Sequence, residues 1–263
     1  MRPRDGRPLR RLGPSLALLL AAVVLTASPA HAAEIKALSA GAVRSIVTDL
    51  AESYQRETGN TVTFTFGTAG MIRQKLAAGE AADVVIVTDV GIDESIRQGV
   101  VAAGTRTDLG RTAMGIAVRE GAPRPDIGTP EALRQTLLAV SSLVYTDPAS
   151  GATSGTHFAG VLERLGIADA VKAKTRLVPG GYPAELVAKG EVELVAHQIS
   201  EIVPVKGVLL VGPLPKELQK YTVYAAGVVA RSGAPETARA FVTYLARPSF
   251  RPRFAAAGLD YRD

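Results

Sequence analysis

The chain has 263 residues, of which 47% are hydrophobic, 21% are charged and only 5% are aromatic. This composition excludes a disordered or low-complexity chain and suits one large domain or two ordinary domains with a hydrophobic core. The absence of Cys excludes disulfides, zinc–thiolate sites and thiol nucleophiles, and the absence of Trp excludes a tryptophan-lined sugar platform.

The first 32 residues have the pattern of a secretory signal peptide. Five arginines fall among residues 1–11, an uncharged apolar run occupies residues 16–25, and residues 30–32 form an Ala-x-Ala cleavage pattern. The run is too short to cross a bilayer as a helix, which disfavours a membrane anchor. Residues 33–263 carry 25 basic and 24 acidic side chains, and this near-neutral balance argues against nucleic acid as a partner. We therefore expect an exported, periplasmic protein.

After residue 32, strand-like and helix-like stretches alternate along the chain. Apolar runs and alternating patterns predict strands at residues 35–38, 61–66, 83–87, 114–119, 143–146, 176–178, 192–196 and 221–231. Helical spacing predicts helices at residues 43–54, 71–78, 92–98, 130–138, 154–165, 183–189, 235–245 and 249–256. This order indicates an α/β fold in which helices cover a parallel sheet.

Breaks in the alternation indicate that the chain crosses twice between two α/β lobes. The predicted crossings are residues 110–118 and 222–229. The first lobe would comprise residues 33–113 plus 226–263 and the second residues 115–224, with the ligand cleft between them. One continuous doubly wound sheet is the alternative, because periodicity does not distinguish the two.

Three loops that follow strands and precede helices are candidates for a binding site. Ligands in open α/β sheets bind at the carboxyl ends of the strands, where helix N-termini offer N–H groups to anions. Residues 147–157 form the longest of these loops, with four hydroxyl side chains and no P-loop lysine. Together the three loops contribute Ser39, Arg44, Thr68 and Ser154 to the predicted site of a small anion.

A fourth region brings titratable side chains to the same predicted edge. Gly181 and Tyr182 precede a helix, and His197, Gln198 and Glu201 follow the strand at residues 192–196. A structural histidine and a helix-capping glutamate are the plainer interpretations, but these three titratable residues are the acid/base candidates of the chain. The two histidines beyond residue 32 fall in separate α/β units, so we expect no metal and no cofactor.

Three stretches resemble the periplasmic molybdate-binding-protein-like family of ABC-transporter substrate-binding proteins. They read IKALSAGA at residues 35–42, FGTAGMIRQ at 66–74 and ADVVIVTD at 82–89. The resemblance covers essentially the whole chain after residue 32. It implies a two-lobed type II periplasmic binding protein fold with an anion in the cleft. By position it also implies the ligand contacts Ala42, Thr68 or Ala69, Ser154, a residue near 180–182, and Gln198.

This sequence departs from the family at the implied site. Molybdate binders of the family usually have serine at the position of Ala42, a serine-rich turn at residues 68–70 and a tyrosine near Gln198. The cage here has fewer hydroxyls and more room, which favours a di- or tricarboxylate over molybdate. The main hypothesis is therefore a monomeric periplasmic solute-binding protein that captures a small anion, and the resemblance implies an ABC importer permease as its partner.

Residues 197–201, 204–208 and 211–215 are similar to a divergent branch of this family, the aconitate isomerases. That resemblance implies an alternative activity, a cofactor-free 1,3-proton shift between trans- and cis-aconitate. Such a reaction needs a base for the allylic proton and an acid that returns it at another carbon. Tyr182, His197 and Glu201 are the candidates for these roles, and the sequence leaves binding and isomerisation both open.

Overall fold

A computed structural model describes residues 32–260 of the chain. The predicted signal peptide, except for Ala32, lies outside these residues. Among the helices that are described, none combines the length and the apolar character needed to cross a membrane.

Strands and helices alternate along the described residues. The strands are β1 Glu34–Ala40, β2 Thr61–Gly67, β3 Val84–Thr88, β4 Thr107–Arg119, β5 Leu143–Thr146, β6 Thr175–Val178, β7 Leu194–Gln198, β8 Val208–Pro213 and β9 Tyr221–Val228. The α-helices are α1 Arg44–Thr58, α2 Ala69–Ala77, α3 Asp89–Arg97, α4 Pro130–Ala139, α5 Thr153–Arg164, α6 Ala168–Lys172, α7 Ala184–Ala188, α8 Ile199–Ile202, α9 Pro235–Leu245 and α10 Arg251–Ala256.

Helix α1 illustrates how the local sequence sets these bounds. Its buried apolar side chains recur at helical spacing: Ile46, Val47, Leu50 and Tyr54. The helix ends at Gly59, whose φ of 78° is a left-handed conformation that glycine adopts without steric cost. The chain therefore reverses directly from α1 into β2, which pairs in parallel with β1.

The strands form a curled sheet in which β4 is shared by two lobes. The order is β2-β1-β3-β9-β4-β7-β5-β6, and β8 also pairs with β4. Residues 107–113 of β4 pair with β9, whereas residues 114–119 pair with β7 and β8. The neighbours β1, β2 and β3 are parallel to one another, as are β5, β6 and β7. The fold is the two-lobed α/β fold with two adjacent strands, β4 and β9, between the lobes.

The hydrophobic core divides at the same point of β4. Two buried clusters draw their residues only from 35–109 and 224–259. Two others draw theirs only from residues 114–218. On this division we propose the same lobe boundaries, except that Tyr224 and Ala225 pack into the core of the first lobe.

Candidate functional site

A cavity of about 270 Å³ lies where the carboxyl ends of the parallel strands meet. Its wall contains residues that end or follow β2, β5, β6 and β7, together with the start of the helical segment after β1, so both lobes contribute. The sequence-predicted residues on this wall are Ala42, Arg44, Thr68, Ala69, Ser154, Gly181, His197, Gln198 and Glu201. This cavity is the candidate ligand site.

Two predicted residues do not line the cavity. Ser39 is fully buried within β1, which extends two residues further than predicted, and its hydroxyl donates to the carbonyl of Ala40 at 3.2 Å. Tyr182 packs against Arg44, with its ring centroid 5.5 Å from the guanidinium carbon. Neither side chain lies on the cavity wall, and the roles predicted for Ser39 and Tyr182 stay predictions.

Helices α2 and α5 both begin at the cavity wall. Ala69 is the first residue of α2, and Thr153 and Ser154 are the first two of α5; all three line the cavity. The first N–H groups of an α-helix lack acceptors within the helix and favour anions. Ala152, which precedes α5, provides no capping side chain. The start of α5 therefore offers backbone donors to an anionic oxygen.

The start of α2 also joins the two lobes across the cleft. Thr68 caps α2 by accepting a hydrogen bond from the Met71 N–H at 3.1 Å, and its own hydroxyl donates to the Ser150 carbonyl at 2.6 Å. The Gly70 N–H donates to the Gly151 carbonyl at 3.1 Å. We call these two bonds the interlobe contact. The single proton of the Thr68 hydroxyl is used in this contact.

Arg44 is the basic side chain of the cavity wall. Its guanidinium stacks 4.5 Å from the centroid of the Phe66 ring and 5.5 Å from that of Tyr182. Its Nε is buried without a hydrogen-bond partner, and Arg44 forms no ion pair with any described residue. An unpaired buried N–H on a cation is unfavourable until an acceptor arrives. The wall therefore holds a positive charge that a bound anion would neutralise.

His197 and Glu201 form a buried pair on the same wall. Helix α8 follows β7 directly and brings Glu201 Oε2 to 3.2 Å from His197 Nδ1, although Nδ1 makes no aligned hydrogen bond. His197 Nε2 lies 2.7 Å from Oγ1 of Thr146, the last residue of β5. A Cβ on Gly41 would stand 3.0 Å from Glu201 Oε1, so glycine there lets the backbone approach the carboxyl.

Burial keeps both members of the pair uncharged near neutral pH. Burial lowers the pKa of His197 to about 4. The interaction of its ring with the backbone of Gln198 acts to raise the pKa but offsets only part of this shift. Burial raises the pKa of Glu201 to about 8, against the charge of Arg44, which acts to lower it. The wall therefore carries a carboxyl group that gains and loses its proton close to neutral pH.

The remaining polar pair on the wall consists of Gln198 and Tyr224. The Tyr224 hydroxyl donates to Gln198 Oε1 at 2.9 Å, and both side chains are buried. No pattern in the sequence pointed to Tyr224, which lies in the middle of β9. Thr146 was also missed, although its position at the carboxyl end of a strand was a signal that could have found it.

The described residues contain no group of three or more His, Asp or Glu side chains arranged to hold a metal ion. The donors on the wall are instead helix N–H groups, an amide and a guanidinium, which suit carboxylate or other oxyanion ligands.

A two-lobed α/β fold with an anion-suited cavity between its lobes defines a solute-binding protein of the periplasmic type. A profile of the family described as bacterial extracellular solute-binding protein matches residues 35–260. The chain belongs to this family.

Three comparisons place the chain among characterised proteins. An aconitate isomerase from a Pseudomonas species is 34% identical over 252 residues, which span 92% of this chain and 95% of that protein. The periplasmic molybdate-binding protein of Azotobacter vinelandii superposes with a TM-score of 0.72 at 18% identity, over 87% of this chain and 100% of that one. PEB3 of Campylobacter jejuni with bound L-phospholactate superposes with a TM-score of 0.65 at 16% identity, over 87% of this chain and 100% of that one. The two structural similarities show the fold alone.

Proposed function

We propose that this protein is a periplasmic isomerase that interconverts trans- and cis-aconitate by a 1,3-proton shift. The observation that carries the proposal is the buried Glu201 carboxyl, beside His197, on the wall of a cavity whose cation, Arg44, is unpaired. Capture of an anion needs hydrogen-bond donors and positive charge, and it does not need a carboxyl group whose pKa lies near neutral pH. A group that exchanges its proton near neutral pH is suited to proton transfer.

The substrate class follows from the donors and from the relative. Aconitate carries three carboxylates, and the wall presents separate donors at Arg44, at the start of α5 and at Gln198. The 34% identical protein is an aconitate isomerase, and the similarity to it runs through nearly the whole of both chains. This supports aconitate over the other tricarboxylates that such donors would accept.

In the proposed reaction Glu201 is the base. Its ionised carboxylate takes a proton from the CH₂ carbon of trans-aconitate, and the C–H electron pair spreads over the three-carbon unit and its carboxylates. The proton then returns from Glu201 to the other end of that unit, so the double bond moves by one position. No atom or electron is gained or lost, and the carboxylate is regenerated.

Other residues hold the reacting groups in this scheme. Arg44 and the first N–H groups of α5 stabilise the negative charge that accumulates on the carboxylates. Neutral His197, held at Nε2 by Thr146, packs beside the Glu201 carboxyl and restricts its position. Tyr182 does not line the cavity, and in this scheme it acts through its contact with Arg44.

The decisive experiment compares Glu201→Gln with Glu185→Gln, an exposed acid outside the cavity wall. Interconversion of the aconitates is followed by chromatography and ligand binding by calorimetry. We expect Glu201→Gln to lower kcat by about 10²–10⁴-fold, the usual contribution of a general base, while trans-aconitate still binds. Glu185→Gln should behave as wild type. Full activity of Glu201→Gln would contradict the assignment of the base.

Capture of a di- or tricarboxylate for an ABC importer is the second candidate. Membership of the solute-binding family favours it, and it needs the donors of the wall but no base. Wild-type protein that binds trans-aconitate or citrate and never interconverts the aconitates would establish capture in place of catalysis. Both candidates share a periplasmic location, which the predicted signal peptide and the periplasmic relative support.

A further inference from the structure

We propose that Tyr224 is a positioning residue that fixes the Gln198 amide with its N–H groups toward the cavity, so that this position accepts a carboxylate. The inference deepens the proposed function, since it assigns one contact to one carboxylate of the substrate. It concerns recognition, and it does not depend on which residue acts as the base.

The geometry leaves one side of the amide free. Oε1 of Gln198 accepts the Tyr224 hydroxyl at 2.9 Å. Nε2 makes no hydrogen bond with any described residue, yet it is not among the fully buried unpartnered atoms. Because Gln198 lines the cavity, the accessible side of Nε2 faces that space. A ligand at this position therefore meets two N–H donors and no acceptor.

The opposite orientation of the amide is disfavoured by the tyrosine. Rotation by half a turn would place Nε2 against the hydroxyl and direct Oε1 at the ligand. The hydroxyl proton, whose acceptor in the described structure is Oε1, would then lose its partner in a buried site. Burial also raises the pKa of Tyr224, so its hydroxyl keeps this proton across the working range. Tyr224 is thus a permanent donor, which suits positioning and not proton transfer.

The strands that carry the two residues make this arrangement rigid. Tyr224 pairs with Thr88 and Gly110 in the first lobe, whereas Gln198 pairs with Met114 in the second. The hydrogen bond therefore joins the lobes beside β4, where the two halves of the sheet meet. A fixed amide on a strand end selects between acceptor and donor groups more sharply than one on a mobile loop.

The test is a double-mutant cycle on binding of trans-aconitate, measured by calorimetry and supplemented by KM and kcat. We expect Tyr224→Phe and Gln198→Ala each to weaken binding by about tenfold, the usual scale for one charge-assisted hydrogen bond. The double variant should bind no more weakly than Gln198→Ala, because Tyr224 acts only through the amide. For Tyr224→Phe, KM should rise by a larger factor than kcat falls. Additive losses would overturn the proposal.

Tyr244→Phe is the matched control, since it removes another buried tyrosine hydroxyl, bonded to Glu57 away from the cavity at 2.6 Å. It should leave binding and turnover unchanged.

A second measurement needs no ligand and separates this inference from the proposed function. In ¹⁵N-labelled protein, the Gln198 side-chain amide signals, assigned by their loss in Gln198→Ala, should shift or broaden in Tyr224→Phe and stay in place in Tyr244→Phe. Identical Gln198 signals in wild type and Tyr224→Phe would refute the positioning role. If wild type binds no aconitate, the proposed function fails and these signals alone decide the inference.

Discussion

Glu201 links the proposed chemistry to the stability of the folded chain. A carboxyl buried beside a neutral imidazole holds its proton more tightly in the folded state than in the unfolded state. The same burial that prepares the group for proton transfer therefore makes folding depend on pH. His197 has the opposite effect, because burial favours its neutral form.

The pH dependence of stability follows with a definite sign. The folded pKa of Glu201, about 8, exceeds its ordinary value of 4.5, so its contribution is lost as pH rises between these values. The folded pKa of His197, about 4, lies below 6.5, so its contribution is lost as pH falls below 6.5. Below pH 6.5 the two groups change the unfolding free energy in opposite directions, and above pH 6.5 only Glu201 changes it.

We therefore predict that wild type loses on the order of 1 kcal/mol of unfolding free energy per unit as pH rises from about 6.5 to 8. Glu201→Gln removes the titrating group, so its unfolding free energy should not show this fall between about pH 6.5 and 8. Urea unfolding at three pH values checks the prediction. Equal slopes for the two proteins would show that Glu201 titrates normally.

Arg44 should influence both affinity and the ionisation of Glu201. Arg44→Gln removes the unpaired cation of the wall, so trans-aconitate should bind about 10-fold to 100-fold more weakly, as for a hydrogen bond to a charged group. Because the charge of Arg44 acts to lower the pKa of Glu201, its loss should move the rising limb of kcat/KM to higher pH. The pH profile measures the second effect.

Arg73→Gln, on an exposed position of α2 outside the cavity wall, is the control for Arg44→Gln and should change neither quantity. An unaltered affinity in Arg44→Gln would remove this arginine from the site.

At the scale of the elements, β5 and α9 were predicted with the bounds that the structure has, because clear signals flank them. The four buried residues of β5 are followed directly by Asp147-Pro148, which ends the strand, and Pro235 is the first residue of α9. The short helices α6 and α8 and the strand β8 were missed. Four or five residues are too few for a periodic pattern, and β8 is only partly buried, with Gly212 and Pro213 at its end.

The part of the site that could be predicted follows from one rule, which is that ligands bind at the carboxyl ends of parallel strands. This rule placed the loops of Arg44, Thr68 and Ser154 on one wall. It failed for Ser39, because β1 continues through that residue and buries its side chain. The partner of Gln198 was not predictable, since contact with Tyr224 depends on the antiparallel register of β9, which local sequence does not encode.

Helix α5 contains two glycines, one with no room for a side chain and one in open space. A Cβ on Gly155 would lie 2.0 Å from the Thr146 carbonyl oxygen, whereas Gly160 has nothing within 4 Å. Gly155→Ala must push α5 from β5, so we predict a loss of about 1–3 kcal/mol or more and reduced turnover through Thr146. Gly160→Ala should gain about 0.5–1 kcal/mol from helix propensity. Denaturant unfolding distinguishes them, and equal effects would contradict the close packing.

For the whole molecule, the interlobe contact brings the backbones of the two lobes together across the cleft. A Cβ on Gly70 would stand 2.7 Å from the Gly151 Cα, so the two backbones meet only because both residues are glycine. Gly70→Ala should hold the lobes apart and weaken binding of trans-aconitate about tenfold by spoiling the closed geometry. Calorimetry and X-ray scattering measure affinity and closure. Wild-type affinity would show that closure does not need this approach.

The division of β4 also predicts an order of assembly for the exported chain. Residues 114–218 contain the whole of two buried clusters, so we expect this middle segment to fold once it has emerged from the translocation machinery. The earlier strands β1, β2 and β3 cannot finish their sheet, because β3 pairs on its open edge with β9, near the end of the chain. The part that is made first is therefore completed last, and until β9 arrives the exposed edge of β3 is available for pairing with other chains.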